Sequence, residues 1–245
     1  MHSHKINKND FQSSFVKNCR KLLSPILNES GGILYSSGDT LKKGLIYVLG
    51  LNPGGAEGQT IDDSISVIFS SKDNAYLDED WSSDKHKYGI GKHPLQKNIK
   101  YLFDYLGYNL RDICCSNLIF VRSVDQQGCN FYYNANLCWE VHKLIIDTIC
   151  PKIFLVFGNS IISPYFFVKT QHLKYFGNNI SEDIIQSGHG NWSCRSFITN
   201  LFGNDILILG LPHLSRYRII DYNNDRKIVL QWINKKIIEA ISKSV

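Results

Sequence analysis

No apolar run in this 245-residue sequence approaches the ~20 residues that a membrane-spanning helix needs. The first residues, Met1-His2-Ser3-His4-Lys5, are polar and lack the apolar centre of a secretion signal. Seven cysteines are present, an odd number, and no two stand as C-x-x-C. That argues against a disulfide framework and gives no zinc or iron–sulfur spacing. Buried thiols in a reducing cytoplasm are the expected state. The chain also lacks internal repeats and any linker that would divide it, so residues 1–245 are read as one domain.

What is present is ordinary for a globular protein: 43% hydrophobic and 20% charged residues, with a net charge of +5. Such a mildly basic balance permits nucleic-acid binding without demanding it. Apolar runs alternate with helical spacing. Leu45–Leu51, Cys114–Val121, Ile153–Phe157, Trp192–Thr199 and Ile206–Leu211 read as strands, with Asn117 central in the second. Residues 10–28, capped by Asp10, Leu95–Tyr105 after Pro94, Leu137–Ile149 before Pro151, and Asp225–Ser242 read as helices. Strands that are apolar throughout imply a sheet covered on both faces. The expected fold is a three-layer α/β/α sandwich around a short, mainly parallel sheet. Residues 55–92, rich in Gly, Ser and Asp with scattered aromatics (Phe69, Tyr76, Trp81, Tyr88), read as a long inserted loop, either a lid or mobile.

Two loops carry the chemistry. The first, Gly50-Leu51-Asn52-Pro53-Gly54-Gly55, follows the first strand and allows close backbone approach to a ligand. It is neither G-x-x-x-x-G-K-[ST] nor G-x-G-x-x-G, so NTPase and dinucleotide readings fall away. The second, Pro212-His213-Leu214-Ser215-Arg216, follows the last strand. Polar loops at the carboxyl ends of buried strands are where an open α/β sheet builds a site. His86, His93, His189 and Asp84 match no metal-ligand spacing and are expected to be solvated loop residues.

Together the two loops resemble the motifs of the uracil-DNA glycosylase superfamily. Gly50-Leu51-Asn52-Pro53-Gly54 is similar to the Asn-bearing first motif of the single-strand-selective monofunctional members, which also carry a Gln-Thr shortly after, here Gln59-Thr60. His213-Leu214-Ser215 is similar to the H-P-S second motif, with Leu214 in place of proline. A shifted alignment that pairs Pro212 with that proline would put His213 where mismatch-specific members have Ser. Ser116-Asn117-Leu118 resembles the strand whose Asn reads the base edge, and Gly158 fits the end of the central strand.

The resemblance implies a monofunctional, cofactor-free and metal-free DNA glycosylase. Asn52 and His213 would be catalytic, with Asn117, Gly50 and Leu51 at the base. Pro53, Gly54, Gly55, Ser215, Arg216 and Tyr217 would lie on the DNA, Arg216 or Tyr217 as a wedge in the base stack. The chemistry suits these residue types: an amide can orient water without removing its proton, and a neutral imidazole N–H can meet charge on the leaving base. The partner is DNA rather than a membrane, the chain is expected to be monomeric, and it is placed in the cytoplasm. Uracil, a 5-substituted uracil or a hypermodified cytosine of foreign DNA are the substrates left open, the last implying a defence enzyme. A catalytically silent DNA binder and a small-nucleotide hydrolase are the competing functions.

Overall fold

A computed structural model describes residues 8–54, 58–123, 130–177, 180–201, 203–220 and 224–242. In chain order the elements are α1 (Lys8–Leu22), β1 (Ile46–Gly50), α2 (Ile61–Val67), α3 (Ala75–Asp78), α4 (Pro94–Leu106), β2 (Cys114–Asn117), α5 (Phe131–Ile149), β3 (Ile153–Phe157), α6 (Pro164–Phe176), β4 (Asp183–Gln186), β5 (Ser193–Leu201), β6 (Asn204–Leu211) and α7 (Asn224–Ser242). The strands form one sheet in the order β2-β1-β3-β6-β5-β4. β2, β1, β3 and β6 run parallel, whereas β5 and β4 complete the sheet antiparallel.

Every residue of β1 and β3 is buried, as parallel strands covered on both faces require. Successive side chains alternate between two cores. Tyr47, Leu49, Phe154 and Val156 pack with α1, α5 and α6, while Ile46, Val48, Leu155 and Phe157 pack with α4 and α7. This is the three-layer α/β/α arrangement.

Several boundaries differ from the sequence reading. Asp10 lies in the first turn of α1 rather than at its cap. β2 stops at Asn117, which is therefore its last residue, although the Leu118 and Ile119 amides still donate to the Gly50 and Leu51 carbonyls. α5 begins six residues earlier than its amphipathic spacing suggested, and α6 and β4 were not anticipated.

The larger correction concerns the stretch read as a lid. Its described part holds α2 and α3, with Ile61, Ile65 and Tyr76 buried in the two cores. α2 is stopped at its start by a capping box between Thr60 and Asp63, a motif that satisfies two orphan donors at once. The 60–78 part of the stretch is fixed core structure, not a cover.

A buried polar pair lies beneath the carboxyl ends of β1 and β2. His142 of α5, fully buried, sits 3.1 Å by Nε2 from the Leu118 carbonyl and 2.8 Å by Nδ1 from the Tyr47 hydroxyl. A carbonyl accepts, so Nε2 carries the proton and Tyr47 donates to Nδ1. Burial holds the imidazole down at about 4. The unfolded chain, with an ordinary histidine near 6.5, binds this proton where the folded chain does not, so stability is lost as pH falls from about 6.5 toward 4. Urea unfolding at pH 5 is expected to give a stability about 2 kcal/mol below that at pH 7 from this group, with a smaller drop in His142→Gln. Equal drops in the two proteins would refute the assignment.

Candidate active site

The sheet order places a crossover between β1 and β3: the chain leaves β1 for β2 on one side and returns to β3 on the other. A crevice opens at the carboxyl ends of strands at such a point. The Asn52 loop leaves β1 there. The His213 loop leaves β6, which flanks β3 on the other side, so the two loops rise about 10 Å apart, two strand spacings.

Asn52 is held by its amide nitrogen. Nδ2 donates to the Pro53 carbonyl at 2.8 Å and to the Ser123 carbonyl at 3.3 Å. Two carbonyl partners fix which end of the amide is nitrogen, and Oδ1 is left without a partner among the described residues. Pro53 is buried, and its carbonyl also accepts from the Ser123 amide at 3.0 Å. Arg122 donates by Nη1 to the Gly54 carbonyl, closing the loop from the other side. A Cβ on Gly54 would touch nothing within 4 Å, so this glycine lies open to approach. Gly55 lies outside the described residues.

Gly50 has a different purpose from the one its sequence context suggested. It pairs in register with Asn117, and a Cβ on it would stand 2.1 Å from Asn117 Oδ1. The missing side chain makes room for the Asn117 amide. Asn117 is 4% exposed and its Nδ2 has no hydrogen-bond partner, a costly state for a buried donor that a ligand acceptor would relieve. Leu51 turns its side chain onto the α5-side core, and its carbonyl accepts from Ile119.

His213 is the most constrained group. The Ser215 backbone amide donates to Nδ1 at 3.3 Å, and the Ser215 Oγ lies 2.7 Å from the same nitrogen. A backbone N–H has no other role than donor, so Nδ1 is bare and the ring proton sits on Nε2. Burial, with smaller contributions from the Arg216 and His93 charges, holds the imidazole down at about 4. It is a neutral Nε2–H donor at physiological pH.

Leucine in place of proline does not loosen this loop. Leu214 is fully buried, its carbonyl accepts from Asn98 Nδ2 at 2.7 Å, and the Arg216 and Tyr217 amides close a helical turn onto the His213 carbonyl.

That turn corrects two expectations. Leu214 and Tyr217, three residues apart on it, share its inner face. Tyr217 is fully buried, donates to the Ser187 carbonyl at 2.9 Å and lies under the Arg226 guanidinium at 4.4 Å, so it is no wedge and meets no DNA. The Ser215 hydroxyl is spent on His213 and orients that ring rather than gripping a phosphate. Arg216 is exposed, as a backbone-contacting residue must be.

Tyr35, which the sequence reading did not single out, joins Trp81 and His93 beside these loops. Tyr35 arrives on an N-terminal arm that runs antiparallel beside β2 through bridges Gly31–Val121 and Leu34–Ser116. Its hydroxyl is pushed up to about 12 by burial, an effect partly offset by the Arg122 charge and by the Asn117 amide beside it. The Tyr35 ring meets Trp81 edge-on at 6.1 Å, Trp81 meets His93 at 5.5 Å, and His93 is close enough for its charge to act on His213. An arc of rings thus runs from Asn117 to His213 across the ends of β1 and β3. Of the aromatics in the inserted stretch, Trp81 and Tyr88 stand on this arc, Tyr76 is buried behind it, and Phe69 packs away with Phe11 and Phe15.

His93 repeats the logic of His213. It caps α4 by accepting the Leu95 amide at Nδ1, which leaves Nε2 as its donor, and burial lowers its pKa. His189 stacks on Trp192 instead. Among the described residues no group of three or more His, Cys, Asp or Glu side chains is gathered for a metal ion, and no helix is long and apolar enough to cross a membrane. No family model and no curated protein matches the chain.

Proposed function

We propose that this chain is a monofunctional DNA glycosylase of the uracil-DNA glycosylase type, hydrolysing the N-glycosidic bond of a base extruded into the crevice. The reading is carried by the orientation of two amides and an imidazole: among the described residues Asn52 has no partner on its oxygen and Asn117 none on its buried nitrogen, and His213 has Nε2–H as its one donor. In the reaction the C1′–N bond breaks and its electron pair leaves with the base. The His213 Nε2–H meets the charge that develops on the base carbonyl. A water held by Asn52 Oδ1 adds to the sugar carbon, its proton passing to solvent, and the departing base takes up a proton. Asn52 removes no proton, so bond cleavage runs well ahead of water attack.

The wall is rich in donors, with N–H groups on His213, His93 and Asn117. Carbonyl oxygens of uracil or a 5-substituted uracil satisfy such a wall, whereas the amino group of cytosine brings another donor. The arc of Tyr35, Trp81 and His93 supplies ring surface against which a flipped base is held. The partner is DNA, and the site of action is the cytoplasm.

Base release from uracil-, 5-hydroxymethyluracil-, hydroxymethylcytosine- and glucosylated-cytosine DNA, single- and double-stranded, tests the proposal. Release of uracil or its 5-substituted form is expected, scored as abasic sites by alkaline cleavage. No release from any substrate, with DNA affinity that falls steeply with salt, would replace the enzyme by a silent DNA binder. No release and no salt-dependent DNA binding would favour a small-nucleotide hydrolase.

A further inference from the structure

The bonds already described within the His213 loop hold the ring against its own turn: the Ser215 amide and hydroxyl meet Nδ1, and the Arg216 and Tyr217 amides meet the His213 carbonyl. They do not hold the turn against the rest of the fold. Leucine at 214 leaves free a φ angle that proline would set. A tie from outside comes from α4, where Asn98 Nδ2 donates to the Leu214 carbonyl at 2.7 Å.

That carbonyl belongs to the same peptide group as the Ser215 N–H. The group is planar and trans, so its C=O and N–H point in opposite directions as one rigid unit. One end accepts from Asn98 and the other donates to His213 Nδ1 at 3.3 Å. Turning the carbonyl away from Asn98 would turn the N–H away from the imidazole.

Asn98 is otherwise poorly suited to its place. It lies inside α4 and is 3% exposed, where asparagine has a low helix propensity. Its Oδ1 is buried with no hydrogen-bond partner among the described residues, a costly state for a polar atom. Gln96, also buried on α4, shows the contrast. Its Nε2 donates to the Ala75 and Glu79 carbonyls, and its Oε1 accepts from the His93 amide, so both ends of that amide are used. An apolar side chain would fill the Asn98 site without burying an unmet oxygen. What asparagine adds there is the bond to Leu214. The helix that offers it is firmly mounted, by Gln96 on one side and by Ile99, Leu102 and Phe103 in the α7-side core, which Leu214 also enters.

We propose that Asn98 is a positioning residue for His213, holding the Leu214–Ser215 peptide so that its N–H fixes the tautomer and direction of the ring. Its effect on rate rests on the glycosylase reading; its effect on the ring does not. Asn98→Leu and Asn98→Ala both remove the donor but change side-chain volume in opposite directions, so an effect they share belongs to the bond. Each is expected to lower single-turnover base release from single-stranded DNA about 10–100-fold, with DNA affinity within about twofold of wild type. Placed in His213→Ala, each should change the remaining rate by less than about twofold, because the residue acts through the ring it positions. An unchanged rate in the single variants, or a full further loss in His213→Ala, would overturn the assignment. Nitrogen NMR of the His213 ring, with no substrate present, separates this from failure of the catalytic reading. Wild type should show Nε2 protonated and Nδ1 bare at pH 7, and both Asn98 variants a mixture of tautomers. A ring that keeps Nε2–H alone in both variants would overturn the assignment whether or not the wild type releases a base.

Discussion

His213→Ala is expected to lower the rate of base release about 10²–10³-fold, the loss usual for one donor aimed at developing negative charge, about 3–4 kcal/mol. The argument rests on a proton whose place is fixed by bonding. With Nδ1 accepting from the Ser215 amide and hydroxyl, Nε2 carries the hydrogen, and the ring needs no protonation step to act. Because burial holds its pKa near 4, His213 contributes no inflection at the usual 6.5. The wild-type rate on a single-stranded substrate should stay level on lowering the pH through that value and fall as it approaches about 4, where protonation of Nδ1 would set it against the Ser215 amide. A wild-type rate that instead falls tenfold per unit on raising the pH above about 6.5, with no such fall in His213→Gln, would show that an imidazolium is the active form and refute the neutral-donor assignment.

Gly50→Ala is expected to abolish most base release, by a factor of about 100 or more, for a reason that needs no contact with DNA. The added methyl would fall 2.1 Å from Asn117 Oδ1 and 3.3 Å from its Cγ. Asn117 is short, 4% exposed and anchored at the end of β2, so its amide must rotate away or the strands must part. The first displaces a buried donor that has no partner among the described residues, and the second costs about 1–3 kcal/mol of stability as overpacking does. Gly54→Ala, four residues on, meets open space and should leave the thermal midpoint unchanged. A near-normal rate in Gly50→Ala would remove Asn117 from the base-reading role.

The fold was largely legible, because strands buried on both faces leave unbroken apolar runs and helices leave periodic ones. Ile153–Phe157 was read to the residue. α6 escaped because Gln171 and His172 lie among its buried residues while Tyr175 and Phe176 are exposed, so the sequence shows no clean apolar face. The inserted stretch misled through composition: its Ser and Asp residues include caps and turn partners, such as Thr60–Asp63 and Asp80–Ser82, rather than a mobile loop.

In the site, Asn52, Asn117 and His213 stood out by motif. The Tyr35–Trp81–His93 arc did not, since Tyr35 comes from the arm before β1 and the other two from the connection between α3 and α4, and they meet through tertiary packing. A glycine pair followed by Ile33-Leu34-Tyr35 was the one available hint of an arm laid along the sheet. Arg216 and Tyr217 read alike in the sequence, as groups facing DNA after the His213 loop. A helical turn at that point sends the tyrosine inward with Leu214.

The division of labour in this crevice has an evolutionary side. On the proposed function the bond-breaking groups sit on loops rooted in the sheet, where Asn52 and His213 are tied to backbone within a few residues of their strands. The wall that a base would meet is borrowed from an arm before β1 and an excursion between α2 and α4. Substitutions at positions 35, 81 or 88 leave β1, β3 and β6 untouched. On the proposed function, single changes in the wall would alter which base is held without touching the groups that cleave the bond.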